Sequence, residues 1–352
     1  MLRLAFLGID HPHGAHWRQM LANFAGEAEI VAFVPEFGGG TASLEERHAN
    51  VPRFDTASDL LRWGQFDGAV VCLSNRTGPP AMIELAQAGK HILAEKPVAA
   101  GGGDARRIAA AVEKSGVAFQ AGYMWRYDDI VNRLRRMVRQ GAFGQFISLE
   151  MTFATSDIAR RGAGHYLFDP VECGGAGFFS WLSCHFLDAM FYVVGRPVVG
   201  VTARTGVFGA VSTAMEDGGS AIFDLEGGGL ATFTGGYWLP RWAGESRWAL
   251  RGSQRWIHWD AARKGTGGVL EIHGPQPQWH AMEETFIAPA DKREGYGGDK
   301  GFAMILDWLD CIRTGRRDQR NGPRPMQTVL ELIDAIYQSS REGRRVECRI
   351  GP

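Results

Sequence analysis

The first 122 residues alternate short apolar segments with amphipathic ones, and this alternation restricts the possible folds more than any other feature. The apolar segments read LRLAFLGI, EIVAFVPE, FDGAVVCLS, HILAEKPV and VAFQAGY. Helix-like stretches lie between them, at 15–24, 58–63, 80–88 and 104–115. Strands that are apolar throughout are buried on both faces, and their alternation with helices is typical of a parallel, doubly wound sheet. Right-handed crossovers then leave few topologies besides a Rossmann-type one.

The pattern changes after Gly122. A predicted helix over 130–140 is followed by longer strand-like segments, QFISLEMTFA, VVGVTARTGVF, GSAIFDLEGGGLATFTGGYW and SRWALRGSQRWIHWD. Most of these follow one another without helices between them, which indicates an open antiparallel sheet. An apolar helix ending at Gly195 interrupts them, and two amphipathic helices are predicted over 302–342. We therefore predict an α/β protein with a Rossmann dinucleotide-binding domain over 1–122. The α+β domain over 123–352 carries a large open, mostly antiparallel sheet.

Charge and cysteine content narrow the class of protein. The 352 residues carry 38 Lys and Arg against 39 Asp and Glu, a balance that disfavours a nucleic-acid partner. The five cysteines are scattered without CxxC spacing, which predicts neither a disulfide framework nor structural zinc. No apolar stretch reaches membrane-spanning length, and the first residues lack a signal-peptide pattern. We expect a cytoplasmic protein with a small-molecule partner and no membrane partner.

The loop after the first strand departs from the G-x-G-x-x-G pattern of dinucleotide-binding folds. Gly8, Asp10 and His13 occupy the three glycine positions, and Gly14 follows one residue later. A side chain and a negative charge at Asp10 are unfavourable beside phosphates. The free N–H groups of a helix beginning at Gly14 still favour an anion. We expect His11 and His13 to donate hydrogen bonds there and, if protonated, to offset Asp10.

The same histidines allow a second interpretation. His11, His13 and His16 form an HxHxxH pattern that is able to supply metal ligands. No cysteine or acidic cluster lies nearby in the sequence, and the pattern begins directly after a strand at a helix start. We therefore predict a phosphate loop and no metal site.

A possible proton-transfer group lies at the end of the fourth apolar segment. Glu95, Lys96 and Pro97 follow HILA, which places Lys96 at the carboxyl edge of a parallel strand, where ligands bind in open α/β sheets. A lysine there is able to donate a proton to an oxygen or hold a substrate hydroxyl. The alternative is a surface lysine followed by a turn proline.

The context of this tripeptide resembles a known family. HILAEKP, preceded by ELAQAGK and followed by GYMWRY, resembles the glucose–fructose oxidoreductase/inositol dehydrogenase (Gfo/Idh/MocA) family. The resemblance extends to FDGAVVCLSN, RQGAFGQFISLE, CGGAGFFSWLSCHFLDAMFYVVG and LDWLDCIRTGRR, and so over nearly the whole chain. It implies an NAD(P)-dependent oxidoreductase that transfers a hydride between nicotinamide and a carbinol of a sugar, sugar derivative or cyclitol. It also implies a homodimer or homotetramer formed through the open sheet face.

The resemblance assigns catalytic roles to two positions. Lys96 is implied as the acid/base, with Glu95 beside the nicotinamide, and His185 stands at the histidine of the second-domain helix motif G-G-G-x-x-x-D-x-G-x-H-x-x-D. Trp181 occupies the position of the upstream acid of that motif, and Asp188 that of the later acid. An indole cannot take a proton. The proton relay must therefore run through Lys96 and His185, or recruit another group.

The resemblance also places the remaining cofactor and substrate residues. Glu36, beside the position of the usual ribose-binding acid, would favour NAD over NADP because a carboxylate repels a 2′-phosphate. Ser74 and Asn75 form the turn beside the nicotinamide. Trp181 and Asp188 are also substrate candidates. Position in the sequence pattern adds further substrate candidates, which are Tyr123, Arg126, His165, Tyr166, Trp238 and Arg241.

Two alternatives to a simple dehydrogenase stay open. An enzyme with transiently reduced, bound NAD would oxidise a glycoside and eliminate its leaving group, and the loss of the acid at Trp181 motivates this reading. A non-catalytic sugar or nucleotide sensor would retain the fold without turnover.

Overall fold

A computed structural model describes residues 1–39, 50–158, 165–209, 213–240, 243–275 and 282–351, and the chain divides into two units. Unit 1 consists of Met1–Tyr127, Val171–Gly174 and Lys292–Gln327. Unit 2 consists of Asp128–Pro170, Gly175–Asp291 and Thr328–Pro352. The first stretch of unit 1 ends close to the predicted boundary at 122, but two later segments return to unit 1.

The sheet of unit 1 is parallel, with strand order β2-β1-β3-β4-β5. This confirms the predicted doubly wound α/β fold. Its strands are β1 (Leu2–Leu7), β2 (Ala28–Val34), β3 (Gly68–Val71), β4 (His91–Ala94) and β5 (Phe119–Ala121). Between them lie the helices α1 (Gly14–Leu21), α2 (Ala57–Trp63), α3 (Gly78–Gln87) and α4 (Gly102–Ser115).

The sheet of unit 2 has nine strands in the order β13-β12-β11-β10-β6-β9-β8-β7-β14. The β6–β9 pair is parallel and the other pairs are antiparallel, as the prediction of an open, mostly antiparallel sheet requires. The strands are β6 (Phe146–Ser156), β7 (Val198–Gly206), β8 (Gly218–Leu225), β9 (Leu230–Leu239), β10 (Gly244–Gly252), β11 (Trp256–Asp260), β12 (Val269–His273), β13 (Met282–Ile287) and β14 (Val346–Ile350). The sequence patterns did not predict β12, β13 and β14.

Side-chain alternation gives this sheet two different faces. Helices α5 (Asp129–Arg139) and α6 (Cys184–Val194) belong to unit 2, and Phe186 of α6 stacks on Phe153 of β6 with ring centroids 4.0 Å apart. We call the other side, which carries the exposed side chains of Ile222 and Leu230, the open face. The polar and exposed positions of neighbouring strands lie there because side chains alternate along a strand.

The last helices are α7 (Gly298–Thr314) and α8 (Pro323–Glu342). The buried side chains of Met304, Ile305 and Trp308 on α7 belong to the hydrophobic core of unit 1. This corrects the predicted assignment of all residues after 122 to the second domain, because the apolar side of α7 completes the core of the first. Among the helices of the described residues, none is both long and apolar enough to span a membrane.

Candidate active site

The loop from β1 to α1 brings backbone groups close to one another. Gly8 has a φ of +70°, and a Cβ at this position would lie 2.1 Å from the carbonyl oxygen of Cys72, so only glycine fits. The helix α1 begins at Gly14 without a side-chain capping bond from His13 and without an acid in its first turn. Its N-terminus is therefore suited to an anionic group.

The Asp10 carboxylate binds backbone N–H groups of the loop after β2. It accepts hydrogen bonds from the backbone N–H groups of Glu36 at 2.8 Å, Phe37 at 2.8 Å and Gly39 at 3.1 Å. Three amide donors thus stabilise the negative charge and connect the loop after β1 to the loop after β2. A further contribution of His11 and His13 to offsetting Asp10 stays a prediction.

The side chain of His13 pairs with Glu95. The Nδ1 atom of His13 lies 3.0 Å from Oε1 of Glu95, and the indole N–H of Trp17 donates to Oε2 of the same carboxylate. Trp17 follows His13 by four residues, so both side chains lie on one side of α1. The loop pattern predicts a role for His13 but none for Trp17, although the four-residue spacing between them is present in the sequence.

Glu95 is a buried anion. Burial by itself would raise the pKa of this carboxyl, but His13, with support from Lys96 and His11, lowers it to about 2. The ammonium Nζ of Lys96 lies 3.7 Å from Oε1 of Glu95, and its side chain is 2% exposed. Because this side chain is buried, Lys96 is not a surface lysine.

Glu36 connects the loops that follow β2 and β3. Its carboxylate accepts hydrogen bonds from the backbone N–H of Ser74 at 2.9 Å, from the Ser74 hydroxyl at 3.2 Å and from the hydroxyl of Thr77. Burial raises its pKa, and these hydrogen bonds only partly oppose the shift. Contact between Glu36 and a ribose stays a prediction.

Asn75 contacts the segment Val171–Gly174, which is distant from it in the sequence. Its amide donates to the carbonyl oxygen of Cys173 at 3.0 Å, and Arg76 forms an ion pair with Glu172 at 2.7 Å. These contacts attach Val171–Gly174 to unit 1 beside the turn after β3. No local pattern in the sequence predicts them.

Tyr123 and Arg126 follow β5 in unit 1. Tyr123 is fully buried, and its carbonyl oxygen accepts a hydrogen bond from the amide of Asn321 at 2.8 Å. The guanidinium of Arg126 donates to the carbonyl oxygen of Arg320 at 3.1 Å. Their contact with a substrate stays a prediction.

In the histidine-rich loop, two ring nitrogens are engaged in contacts other than a metal ion. The rings of His13 and His16 have centroids 6.4 Å apart, and those of His11 and His13 are 5.3 Å apart in an edge arrangement. The Nδ1 atom of His13 faces Glu95, and the Nδ1 atom of His11 accepts the backbone N–H of His13.

In unit 2 the helix that carries His185 begins with a π-helical turn at Phe179–Ser183 and continues as α6. The sequence predicted a regular helix throughout. The hydroxyl of Ser183 donates to the carbonyl oxygen of Phe179 at 2.6 Å within the turn. Single π-helical turns occur frequently at functional sites.

Three aromatic residues of the predicted substrate set, His165, Tyr166 and Trp181, lie close together in unit 2. The ring of Tyr166 lies 5.0 Å from Trp181 and 5.0 Å from His165. Trp181 is 6% exposed and His185 is 5% exposed, whereas Asp188 is completely buried. Contact of these side chains with a substrate stays a prediction.

Glu216 is an acidic residue of this region for which the sequence patterns predict no role. Its Oε1 atom accepts hydrogen bonds from the backbone N–H of Phe179 at 2.9 Å and from the Tyr337 hydroxyl at 2.7 Å. Burial, assisted by the charge of Asp217, raises its pKa to about 8. The raised pKa favours the protonated carboxyl, and the hydrogen bond to Phe179 attaches this side chain to the start of the helix that carries His185.

Trp238 lies elsewhere in unit 2. On β9, Phe233 and Tyr237 face the aromatic residues that begin the π-helical segment, with Tyr237 5.1 Å from Phe178. Trp238 points to the open face, where its indole N–H donates to Asp217 at 3.2 Å. The structure therefore does not bring Trp238 together with Trp181. Arg241 lies outside the described residues.

Two family models match most of the chain. Residues 2–123 match the model described as an oxidoreductase family with an NAD-binding Rossmann fold. Residues 131–258 match the GFO/IDH/MocA C-terminal domain.

Individual relatives agree with these matches. The rhizopine catabolism protein MocA of Rhizobium meliloti is 25% identical over 235 residues, 63% of this chain and 70% of MocA. The D-glucoside 3-dehydrogenase of Escherichia coli K12 is 26% identical over 204 residues, 56% of this chain and 55% of that protein. Uncharacterized oxidoreductase YrbE of Bacillus subtilis is 28% identical, and the match spans 50% of its length.

A solved structure of levoglucosan dehydrogenase with NADH has the same fold. It superimposes with a TM-score of 0.82 over 98% of each chain, at 16% identity.

Proposed function

Because the chain belongs to the Gfo/Idh/MocA oxidoreductase family, we propose that it is an NAD-dependent dehydrogenase acting on a carbinol of a sugar, sugar derivative or cyclitol. The observation that carries this proposal is the buried pair of Glu95 and Lys96 directly after β4. A parallel sheet binds ligands at this edge, and an amine there is placed to move a proton.

Unit 1 fits a nicotinamide dinucleotide. The start of α1 offers N–H groups to a pyrophosphate, and Gly8 keeps the backbone free of a Cβ at the turn. Gly8, Ser74 and Lys96 all follow strands of one parallel sheet at its carboxyl edge. Bound NAD supplies the hydride acceptor or donor at nicotinamide C4.

Lys96 is the proposed acid/base. In the oxidation direction its amine accepts the hydroxyl proton of the substrate, and in reduction its ammonium returns a proton to the carbonyl oxygen. The Glu95 anion holds the lysine side chain, and His13 and Trp17 hold the Glu95 anion. We propose that His185 orients the substrate or relays the proton.

We propose that the cofactor is NAD in preference to NADP. The Glu36 side chain follows β2, and the Asp10 carboxylate of the loop after β1 accepts hydrogen bonds from the backbone of the same segment after β2. Negative charge at this edge of the sheet disfavours a 2′-phosphate.

A second candidate function rests on Trp181. Where the family motif has an acid, this chain has an indole that packs near Tyr166. An enzyme that oxidises a glycoside with bound NAD and eliminates the leaving group uses a different set of proton donors. One curated relative carries the name D-glucoside 3-dehydrogenase.

The cellular setting is also a proposal. The near balance of charges and the scattered cysteines support a cytoplasmic enzyme. The exposed apolar residues of the open face support a homodimer or homotetramer formed through that face.

Calorimetric titration with NAD⁺, NADH, NADP⁺ and NADPH tests the proposal. We expect saturable binding of NAD(H) and weaker binding of NADP(H), followed by NADH formation with at least one member of a panel of sugars and cyclitols. Absence of binding by any of the four at millimolar concentration would contradict an enzyme of this class and favour a sensor. Release of aglycone from a glycoside without net NADH would instead support the second candidate.

A further inference from the structure

Three side chains with metal-ligand chemistry lie together on the open face of unit 2, far along the chain from the residues proposed for catalysis. They are His258 on β11 and Glu271 and His273 on β12. Their imidazole nitrogens and carboxylate oxygens all lie within 4.8 Å of one another. His258 is exposed, and the other two are half-buried.

The strand register produces this arrangement. β11 and β12 are antiparallel neighbours, and His258 pairs directly with Glu271. His273 follows Glu271 by two residues and therefore projects from the same face. The segments WIHWD and VLEIH alternate with buried Ile257, Trp259 and Leu270 on the opposite face, so a shift in register would bury all three polar side chains. The core of unit 2 thus fixes the cluster.

Neighbouring groups hold the ligands in place. The ring of His273 stacks on Trp256, with centroids 4.9 Å apart and an angle of 4° between the planes. The Nε2 atom of His273 lies 3.8 Å from Oε2 of Glu271. The rings of His258 and His273 have centroids 5.7 Å apart. These separations permit an ion with tetrahedral coordination to contact all three side chains after small side-chain rotations.

The surrounding charges do not oppose a cation. A groove beside His258 and Glu271 contains Arg247 and Arg263. Arg263 forms an ion pair with Asp260 at 3.3 Å, and Arg247 forms one with Glu245 at 3.0 Å. Each arginine is therefore paired with an acid, Arg263 with Asp260 in the groove and Arg247 with Glu245 on β10, and neither arginine is paired with Glu271.

We propose that His258, Glu271 and His273 bind one Zn²⁺ ion. Two imidazole nitrogens and one carboxylate oxygen form a ligand set that zinc accepts, with the fourth tetrahedral position left for water. The sequence patterns predict no metal site here, because they do not predict β12 and therefore do not pair these residues. The site is independent of the proposed dehydrogenase activity.

Titration of the tag-free, chelator-treated full chain with Zn²⁺ tests this proposal by calorimetry. We expect one equivalent of Zn²⁺ per chain, and Co²⁺ substitution is expected to give the strong visible absorption of a tetrahedral site. His258→Ala, His273→Ala and Glu271→Gln should each weaken Zn²⁺ binding by about tenfold or more. His16→Ala removes an exposed histidine of unit 1 and should leave the affinity unchanged.

Three outcomes would overturn the proposal. One is no Zn²⁺ binding in the micromolar range by the unaltered protein. Another is equal Zn²⁺ affinity in the His258 and His273 variants, which circular dichroism must show to be folded. A loss of binding in His16→Ala alone would assign the ion to the histidine-rich loop and would equally overturn it.

Discussion

At the scale of single residues, Glu95 explains the unusual loop after β1. His13 stands where a glycine is expected in a dinucleotide-binding fold, and it contacts the Glu95 carboxylate at 3.0 Å. Trp17 contacts the other oxygen of that carboxylate, and Lys96 lies 3.7 Å from the first. A buried carboxylate is stable only when charge and hydrogen bonds compensate for its burial. The loop thus has His13 in place of a glycine, and the His13 side chain stabilises Glu95 beside the proposed catalytic Lys96.

Lys96→Ala tests the catalytic assignment. Turnover is expected to fall by about 10² to 10⁴, the usual contribution of a positioned acid–base group, while NAD binding is largely retained. Steady-state kinetics and calorimetry measure the two effects separately. Lys114→Ala, an exposed lysine of α4, serves as the matched control. Equal turnover in both variants would remove Lys96 from the mechanism.

Trp17→Phe tests the support of Glu95. The phenyl ring can still stack on Tyr296, which lies 4.0 Å from the Trp17 ring, but the N–H to the carboxylate is lost. The free energy of unfolding at pH 7 is expected to fall by about 1.5 to 3 kcal/mol, as for hydrogen bonds to charged groups. Urea denaturation measures it, with Trp63→Phe as the control.

The stability contributed by Glu95 has a defined pH range. Its pKa is about 2 in the folded protein and near 4.5 when unperturbed, so the unfolded state binds more protons between these values. The contribution is therefore complete above about pH 4.5 and is lost as the pH falls toward 2. A Trp17→Phe deficit that grew in acid, rather than shrinking, would contradict an anionic Glu95.

At the scale of elements, the start of the helix carrying His185 depends on Glu216. The backbone carbonyl oxygen of Glu216 accepts the N–H of Phe178 at 3.2 Å, and its carboxyl accepts the N–H of Phe179 at 2.9 Å. A Cβ at Gly177 would lie 2.1 Å from the Glu216 carbonyl oxygen. This close approach places the turn that presents Trp181 and explains why the helix begins where it does.

Glu216→Gln tests the protonated state of this acid. Because the pKa is about 8 in the fold and near 4.5 when unperturbed, the folded state binds more protons between these values. The free energy of unfolding should therefore fall as the pH rises from 4.5 to 8, by roughly 1 to 3 kcal/mol. The glutamine variant mimics the neutral carboxyl and should reduce this dependence. Thermal unfolding across the range measures it, and an unchanged slope would indicate an ionised Glu216.

At the scale of the whole molecule, unit 2 exposes one face of a nine-stranded sheet. Ile222 and Leu230 lie on this open face, and each is 45% exposed. Apolar side chains on such a face are often covered by a second copy of the chain. The proposed homo-oligomer follows from this exposure together with the family resemblance.

Ile222→Glu should shift the protein toward the monomer. A charge in an apolar interface loses hydration without gaining a partner, so association is expected to weaken by about tenfold or more. Light scattering coupled to size-exclusion chromatography measures the mass, and Ile222→Val is the matched control. A monomeric unaltered protein at the same concentration would contradict assembly through this face.

The sequence by itself determined the two kinds of sheet, the order of their main elements and the position of Lys96 after β4. Burial periodicity and turn residues are local, so short windows of sequence contain them. The helix over 130–140 and the structure's Asp129–Arg139 differ by one residue at each end for the same reason.

Only the tertiary structure decided how the unusual residues are used. Asp10 bonds to amides that lie 26 to 29 residues away, and Glu95 bonds to Trp17 across 78 residues. The assignment of α7 to unit 1, the outward position of Trp238 and the pairing of His258 with Glu271 also depend on contacts between distant segments. A buried polar group must find partners wherever the fold brings them, and no local pattern of the sequence records where that is.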